Sequence, residues 1–411
     1  MKRRTWLGMA LGGLGLYSVW RSNRRGKTHD PRFQNYQKIL QEAQLFTPCV
    51  VVDLDILDQN IRQAKNHLSS QLAFRVVVKS LPFHGLYHYV AQKMGTNRFM
   101  VFHGPNIQEV IQTSADQSSS ILLGKPMPVA EAHRFYRDNA PDHAIQWLID
   151  SPSRLKEYHE LALQKQLKLQ INLEIDVGLH RGGFIQDRDW HNALQFLPTS
   201  SLQVEGLMGY DAHVPKVPGS MEHAFESMAV QYRRMKSDLM ASQPSKQDWT
   251  FNGGGSPTLT LHRSPNTPIN DVSAGSFALL PADFDIPTLA GYQPSAFIAA
   301  PVLKVQSGSQ IPGIEGLSSA WPVVDPARER TAFLYGGAWE GSVYSPSGVE
   351  SNGLYGQSTN QMMYNFSQEV ELTPGDFLFF RPNQSERTLA LFENAVGIRK
   401  GKIEFIWSQI R

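Results

Sequence analysis

Four groups of residues have types and spacings that can do chemistry. The first is Lys79, which ends the run Phe74 to Val78, apolar apart from Arg75, and is followed by Ser80-Leu81-Pro82. Such a run is the pattern of a short buried strand that delivers one amine to its carboxyl end. Loss of hydration beside an apolar wall favours the neutral, nucleophilic form of an amine. A neutral lysine amine can form a Schiff base with a carbonyl. The plainer alternative is a lysine that caps a strand and reaches into water.

The second group is Gly253-Gly254-Gly255-Ser256-Pro257-Thr258. Successive glycines let backbone N–H groups converge on one anion, and the Ser and Thr hydroxyls can add donors. The turn lacks the lysine of a nucleotide-binding loop, so it suits one phosphate. A second small-residue turn, Ala274-Gly275-Ser276, can close the same cup. The third group is Glu174-Ile175-Asp176-Val177-Gly178-Leu179-His180-Arg181-Gly182. A permanently charged arginine flanked by glycines can approach a planar ligand and hold a ring nitrogen as an unprotonated acceptor. The plainer alternative is a salt bridge from Arg181 to Glu174 or Asp176. The fourth is Gly209-Tyr210-Asp211-Ala212-His213, which offers a phenol and an imidazole able to move protons near neutral pH. His84 and His103 are histidines without a specific pattern.

These groups need elements that bring them together. From Thr47 to about residue 285, apolar runs alternate with helical periodicities. The runs are Cys49–Leu54, Phe74–Val78, Arg98–Phe102, Ser120–Gly124, Ala144–Ile149, Leu169–Ile175, Val204–Gly209 and Trp249–Phe251, and Val272–Leu280 ends the series. Asp55 is read as the cap of the first helix. That count and length predict an α/β fold, a parallel (β/α)8 barrel of TIM type over 45–285, with a doubly wound sheet as the alternative. In a barrel, functional groups follow the strands at their carboxyl ends. Lys79, His103, Asp176 to Arg181, Tyr210 to His213 and Gly253 to Ser256 all do. Residues 286–411 switch to short strands with tight turns such as Pro374-Gly375-Asp376, the pattern of an antiparallel β domain.

The 411 residues carry 41% hydrophobic and 18% charged side chains and a net charge of +2, a globular balance with no basic excess for nucleic acid. The single cysteine, Cys49, excludes a disulfide framework and a multi-cysteine zinc site. In residues 1–27, Lys2, Arg3 and Arg4 precede the charge-free run Thr5 to Trp20, and Arg21, Arg24, Arg25 and Lys27 follow it. That is a signal or membrane-anchor pattern, read here as an uncleaved anchor on an otherwise cytoplasmic protein. Residues 28–44 read as a linker and docking helix.

Together the segments resemble the fold-type III pyridoxal-phosphate enzymes of the alanine racemase-like superfamily, and within them the D-threonine aldolase/D-serine dehydratase branch. The resemblance rests on Thr47-Pro48 with Val51, Val52, Asp53, Leu54, Leu57, Asn60 and Ile61, on Val78-Lys79, and on Glu174 to Gly178 with His180-Arg181. Gly206-Leu207 with Gly209-Tyr210 and His213, then Gly253 to Thr258 and Gly275-Ser276, complete it in the same order. It implies that Lys79 carries pyridoxal 5'-phosphate as a Schiff base and that Arg181 faces the pyridine nitrogen. Tyr210 would line the cofactor, and Gly254, Gly255, Ser256 and Ser276 would bind its phosphate. It also implies a homodimer acting on a small amino acid; Lys79 and His213 are the residues read as catalytic, with a structural histidine as the plainer alternative for His213. The branch holds a divalent metal with a His-x-Cys pair; here Gln384 and Glu386 stand at those positions, so a zinc site of that kind is not expected. An aldolase- or dehydratase-like lyase is the leading expectation. The alternatives are a racemase, with Tyr355 as a second base, and a cofactor-binding protein without catalysis.

Overall fold

In the computed structural model, which describes residues 25–113, 119–138, 144–197, 201–308, 313, 315, 325–353 and 356–410, the chain divides into two compact units. One comprises the chain up to Asp55 with Pro294–Trp407, the other Ile56–Gln293 with Ser408–Arg411.

The first unit opens with helix α1 (Pro31–Glu42), started by Asp30, whose carboxylate accepts from the N–H groups of Arg32 and Phe33 at 2.9 and 3.2 Å. Phe33, Tyr36, Ile39 and Leu40 form its apolar face and pack with Cys49, Val51, Phe297, Phe377, Phe379 and Val396. A helix thus lies within 28–44, and Cys49 is buried in the core it packs on. Strand β1 (Cys49–Asp53) lies in this unit, not in the barrel. It pairs parallel with β16 (Asn394–Arg399) and antiparallel with β10 (Ala296–Ser307), at the centre of a nine-stranded, mostly antiparallel sheet. The reading of Cys49–Leu54 as a barrel strand is therefore corrected. A strand buried on both faces reads as a continuous apolar run in either setting. Helix α2 (Leu54–His67) follows directly, and its cap is Asp53, which accepts the Asp55 N–H at 3.0 Å; Asp55 itself sits in the first turn.

The second unit is the barrel. Its strands are β2 (Ala73–Val77), β3 (Arg98–Val101), β4 (Ser120–Leu123), β5 (Ile145–Ile149), β6 (Leu169–Glu174), β7 (Leu202–Gly209), β8 (Thr250–Gly253) and β9 (Asp271–Ala274). They are parallel in sequence order, and β9 pairs with β2 to close the ring. Helices α3 (Leu86–Met94), α4 (Gly104–Thr113), α5 (Val129–Asp138), α6 (Pro152–Lys165), α7 (Arg188–Phe196) and α8 (Met221–Ser242) alternate with them. Ser151 caps α6 and Pro152 begins it. The chain returns to the first unit through β10 (Ala296–Ser307), β11 (Arg330–Leu334), β12 (Gly341–Ser345), β13 (Glu350–Ser351), β14 (Met363–Phe366), β15 (Phe377–Pro382), β16 (Asn394–Arg399) and β17 (Lys402–Ser408).

Among the described residues no helix is long and apolar enough to cross a membrane. Residues 1–24 of the anchor-like segment, and Tyr355, lie outside the described residues.

Candidate active site at the carboxyl ends of the barrel strands

Lys79 stands just past β2, in the single 3-10 turn Val78–Ser80. The buried strand stops at Val77, and the turn lifts the lysine over its end. Its Nζ lies 4.3 Å from the centre of the Phe102 ring, an aromatic residue that follows β3. Lys79 is half-buried, and its amine meets an aromatic face.

The glycine turn follows β8. Gly254 has φ +75°, a conformation that only glycine adopts without strain. A Cβ on Gly255 would stand 2.8 Å from the Tyr210 ring, so the backbone of this turn passes directly against that ring. Ser256 is buried, and its Oγ accepts the Phe277 N–H at 2.9 Å, which leaves its own O–H to donate. That bond ties the first small-residue turn to the second, which follows β9. In the second turn Ser276 Oγ donates to Ser80 Oγ at 3.1 Å, beside Lys79. A Cβ on Gly275 would stand 2.7 Å from the Val77 carbonyl oxygen. The two turns expected to form one cup are thus joined to each other and to the lysine turn.

Thr258 is the exception in this cup. It is fully buried; its O–H donates to Asp211 at 2.7 Å and its Oγ1 accepts the Gly255 N–H at 3.2 Å. It supports the turn from behind and is not one of its free donors, contrary to the sequence expectation.

Arg181 places its guanidinium 4.6 Å from the centre of the Tyr210 ring. The alternative salt bridge to Asp176 is not formed, because that carboxylate accepts from the N–H groups of Gly178 and His180 and from His180 Nδ1. Glu174, the last residue of β6, is buried. Burial pushes its carboxyl up to about 7, against the opposing pull of the Arg181 charge. Arg181, Tyr210 and the glycine turn therefore share one part of the rim.

His213 lines a cleft of about 480 Å³ with Asp176, Val177, Gly178, His180 and α8 residues including Met228. Its Nδ1 is buried without a partner among the described residues, and burial holds the ring below its ordinary pKa. In the other unit, Gln384 immediately precedes the short helix α9 (Ser385–Leu389), and Glu386 is in its first turn.

Sequence reading missed the polar interior of the barrel. Arg75, the one charge in the Phe74–Val78 run, donates Nε and Nη2 to the two oxygens of Asp271 at 3.0 Å each, and Nη1 to the carbonyls of Phe99 and Ser120. Arg98 and Asn252 also donate to Asp271, at 2.8 and 2.5 Å. Arg98, Ser120 and Asp271 begin their strands, so this cluster fills the amino-terminal end, opposite the lysine. The signal available in sequence was a charge within a β-branched run.

The model of the alanine racemase N-terminal domain matches residues 52–279. Curated relatives include alanine racemases of Lactobacillus gasseri, 30% identical over 199 residues (47% of this chain, 50% of the relative), and of Lactobacillus acidophilus, 29% identical over 196 residues (46% and 49%). The chain thus spans about half the length of the curated relatives it matches. Among solved structures, D-threonine aldolase from Filomicrobium marinum superposes with a TM-score of 0.68 at 14% identity, covering 88% of this chain and 94% of that one. D-threo-3-hydroxyaspartate dehydratase from Delftia sp. HT23 gives 0.64 at 16% (89% and 97%), and alanine racemase of Clostridium difficile 630 gives 0.67 at 15% (88% and 98%). At such identities these structures share the fold. With the closed barrel, the separate sheet and the match over more than half its length, the chain belongs to the alanine racemase N-terminal domain family, within the fold-type III pyridoxal-phosphate enzymes.

Proposed function

We propose that this protein is a pyridoxal-phosphate-dependent enzyme acting at Cα of a small amino acid, as a lyase of the aldolase or dehydratase kind. The observation that carries the reading is the joined rim: the Lys79 turn bonds through Ser80 to Ser276, and the Ser276 turn bonds through Phe277 to Ser256. The residues fit the cofactor, because glycine stands where a Cβ would meet the Tyr210 ring or the Val77 carbonyl. Lys79 would carry it covalently, Gly254, Ser256 and Ser276 would hold its phosphate, and Tyr210 would bound it on one side; Gly255, expected among the phosphate donors, gives its N–H to Thr258 instead. Arg181, which stays charged, would face the ring nitrogen and keep it an acceptor. When bound, pyridoxal phosphate supplies an electron sink for negative charge developing at Cα. Lys79 Nζ is the group proposed to take or return the proton there.

The purified protein is expected to absorb in the visible as a lysine-bound cofactor does, and Lys79→Ala to lose that band. A wild type that stays colourless with added pyridoxal phosphate would sink the reading. Racemisation is the second reading, favoured by the alanine racemase match over residues 52–279. Incubation in deuterated water with D- and L-amino acids, with and without a divalent cation, separates the two. A lyase releases aldehyde or ammonia, whereas a racemase exchanges the Cα proton and keeps the substrate. A homodimer is part of the same proposal.

A further inference from the structure

Behind the glycine turn lies a buried relay that the proposed chemistry does not use. Asp211 is 1% exposed, and its two oxygens are taken by two neighbours: Oδ1 accepts the Thr258 hydroxyl and Oδ2 lies 2.7 Å from His262 Nε2. Thr258 and His262 are fully buried. Thr258 Oγ1 accepts the Gly255 N–H, and His262 Nδ1 lies 2.8 Å from Thr267 Oγ1. A Cβ on Gly254 would stand 3.2 Å from the His262 ring, so the imidazole abuts the back of the same turn.

A buried carboxylate is costly unless it is fully hydrogen-bonded. Placed behind an anion site, its charge also repels the anion. Its use there is directional. An ionised carboxylate only accepts, so the Thr258 proton must point to Asp211, and only the lone pairs of Oγ1 remain for Gly255. The same argument puts a proton on His262 Nε2. We infer that Asp211, through Thr258 and His262, is a positioning residue that fixes the phosphate-binding turn. This rests on the proposed cofactor reading and adds to it the group that sets the geometry of the phosphate cup.

The experiment compares binding of pyridoxal phosphate and of pyridoxal, which lacks the phosphate, by absorption titration of the cofactor-stripped full chain. Asp211→Asn can present an N–H to Thr258 and so loses the imposed direction. It is expected to weaken pyridoxal phosphate about 10-fold, the effect of one hydrogen bond to a charged group, and to change pyridoxal less than about 2-fold. Thr258→Val is expected to do the same and Thr258→Ser to restore wild-type binding. If the carboxylate acted through its charge, Asp211→Asn would instead tighten the phosphate, and that result overturns the inference. Equal losses for both ligands overturn it too, as does failure of Thr258→Ser to rescue. Thermal unfolding of the stripped variants identifies any that do not fold; Thr258→Ala then takes the place of Thr258→Val in the same ratio. A wild type that binds neither ligand defeats the cofactor reading itself, a different outcome from any variant effect.

Discussion

Glu174 shows what a single residue's surroundings decide. Its carboxyl closes β6 in a buried position and is raised from 4.5 to about 7 by burial. Below about pH 4.5 the group is protonated in both folded and unfolded chains, and its burial carries no ionisation penalty. As pH rises from there to about 7 the unfolded chain ionises first and stability falls; above that the loss is complete. Glu174→Gln is therefore expected to match wild type near pH 4.5 and to be more stable by on the order of 3 kcal/mol at pH 8. Urea unfolding midpoints across that range check it, and a difference independent of pH would contradict it. At the same scale, Lys79, Arg181, Tyr210 and the glycine turn were legible because each is a distinctive residue type just past an apolar run. The inward turn of Thr258 was not, since Asp211 precedes it by 47 positions.

At the scale of elements, turns carry the site. The Lys79 turn and the Ser276 turn touch where Gly275 passes Val77 and Ser80, and a Cβ there would stand 2.7 and 2.8 Å from those atoms. Neither contact can yield without moving backbone that bears Lys79. Gly275→Ala is expected to cost about 1–3 kcal/mol of stability and to weaken cofactor binding about 10-fold or more. Gly353→Ala, where a Cβ meets nothing within 4 Å, is the control expected to bind as wild type. Absorption titration and thermal melts read both. The alternation of strands and helices was legible from periodicity. The assignment of β1 was not, because Cys49 to Asp53 is buried throughout, and an apolar run does not say which sheet buries it.

At the scale of the whole molecule, the barrel's amino-terminal end is held by a charge cluster. Burial opposes ionisation of Asp271, but Arg75, Arg98 and Asn252 together hold its carboxyl below the usual range. Asp271→Ala strands the fully buried Arg75 and is expected to cost about 3–5 kcal/mol. Replacing both, as Arg75→Leu with Asp271→Leu, is expected to cost less than the single change, because no buried charge is then left alone. Denaturant unfolding of the three proteins tests this, and a double variant weaker than the single would refute it. Arg75 and Asp271 are 196 positions apart, so no local pattern could pair them. By itself the sequence determined the strand and helix periods, the turns after the strands and the residue types at the rim, because these depend on neighbours a few positions away. Only the tertiary structure decided that β1 leaves the barrel, that Arg75 meets Asp271 and that Thr258 faces Asp211. Those outcomes depend on contacts between residues distant in the chain, and a side chain's direction is set by what the closed fold leaves for it to touch.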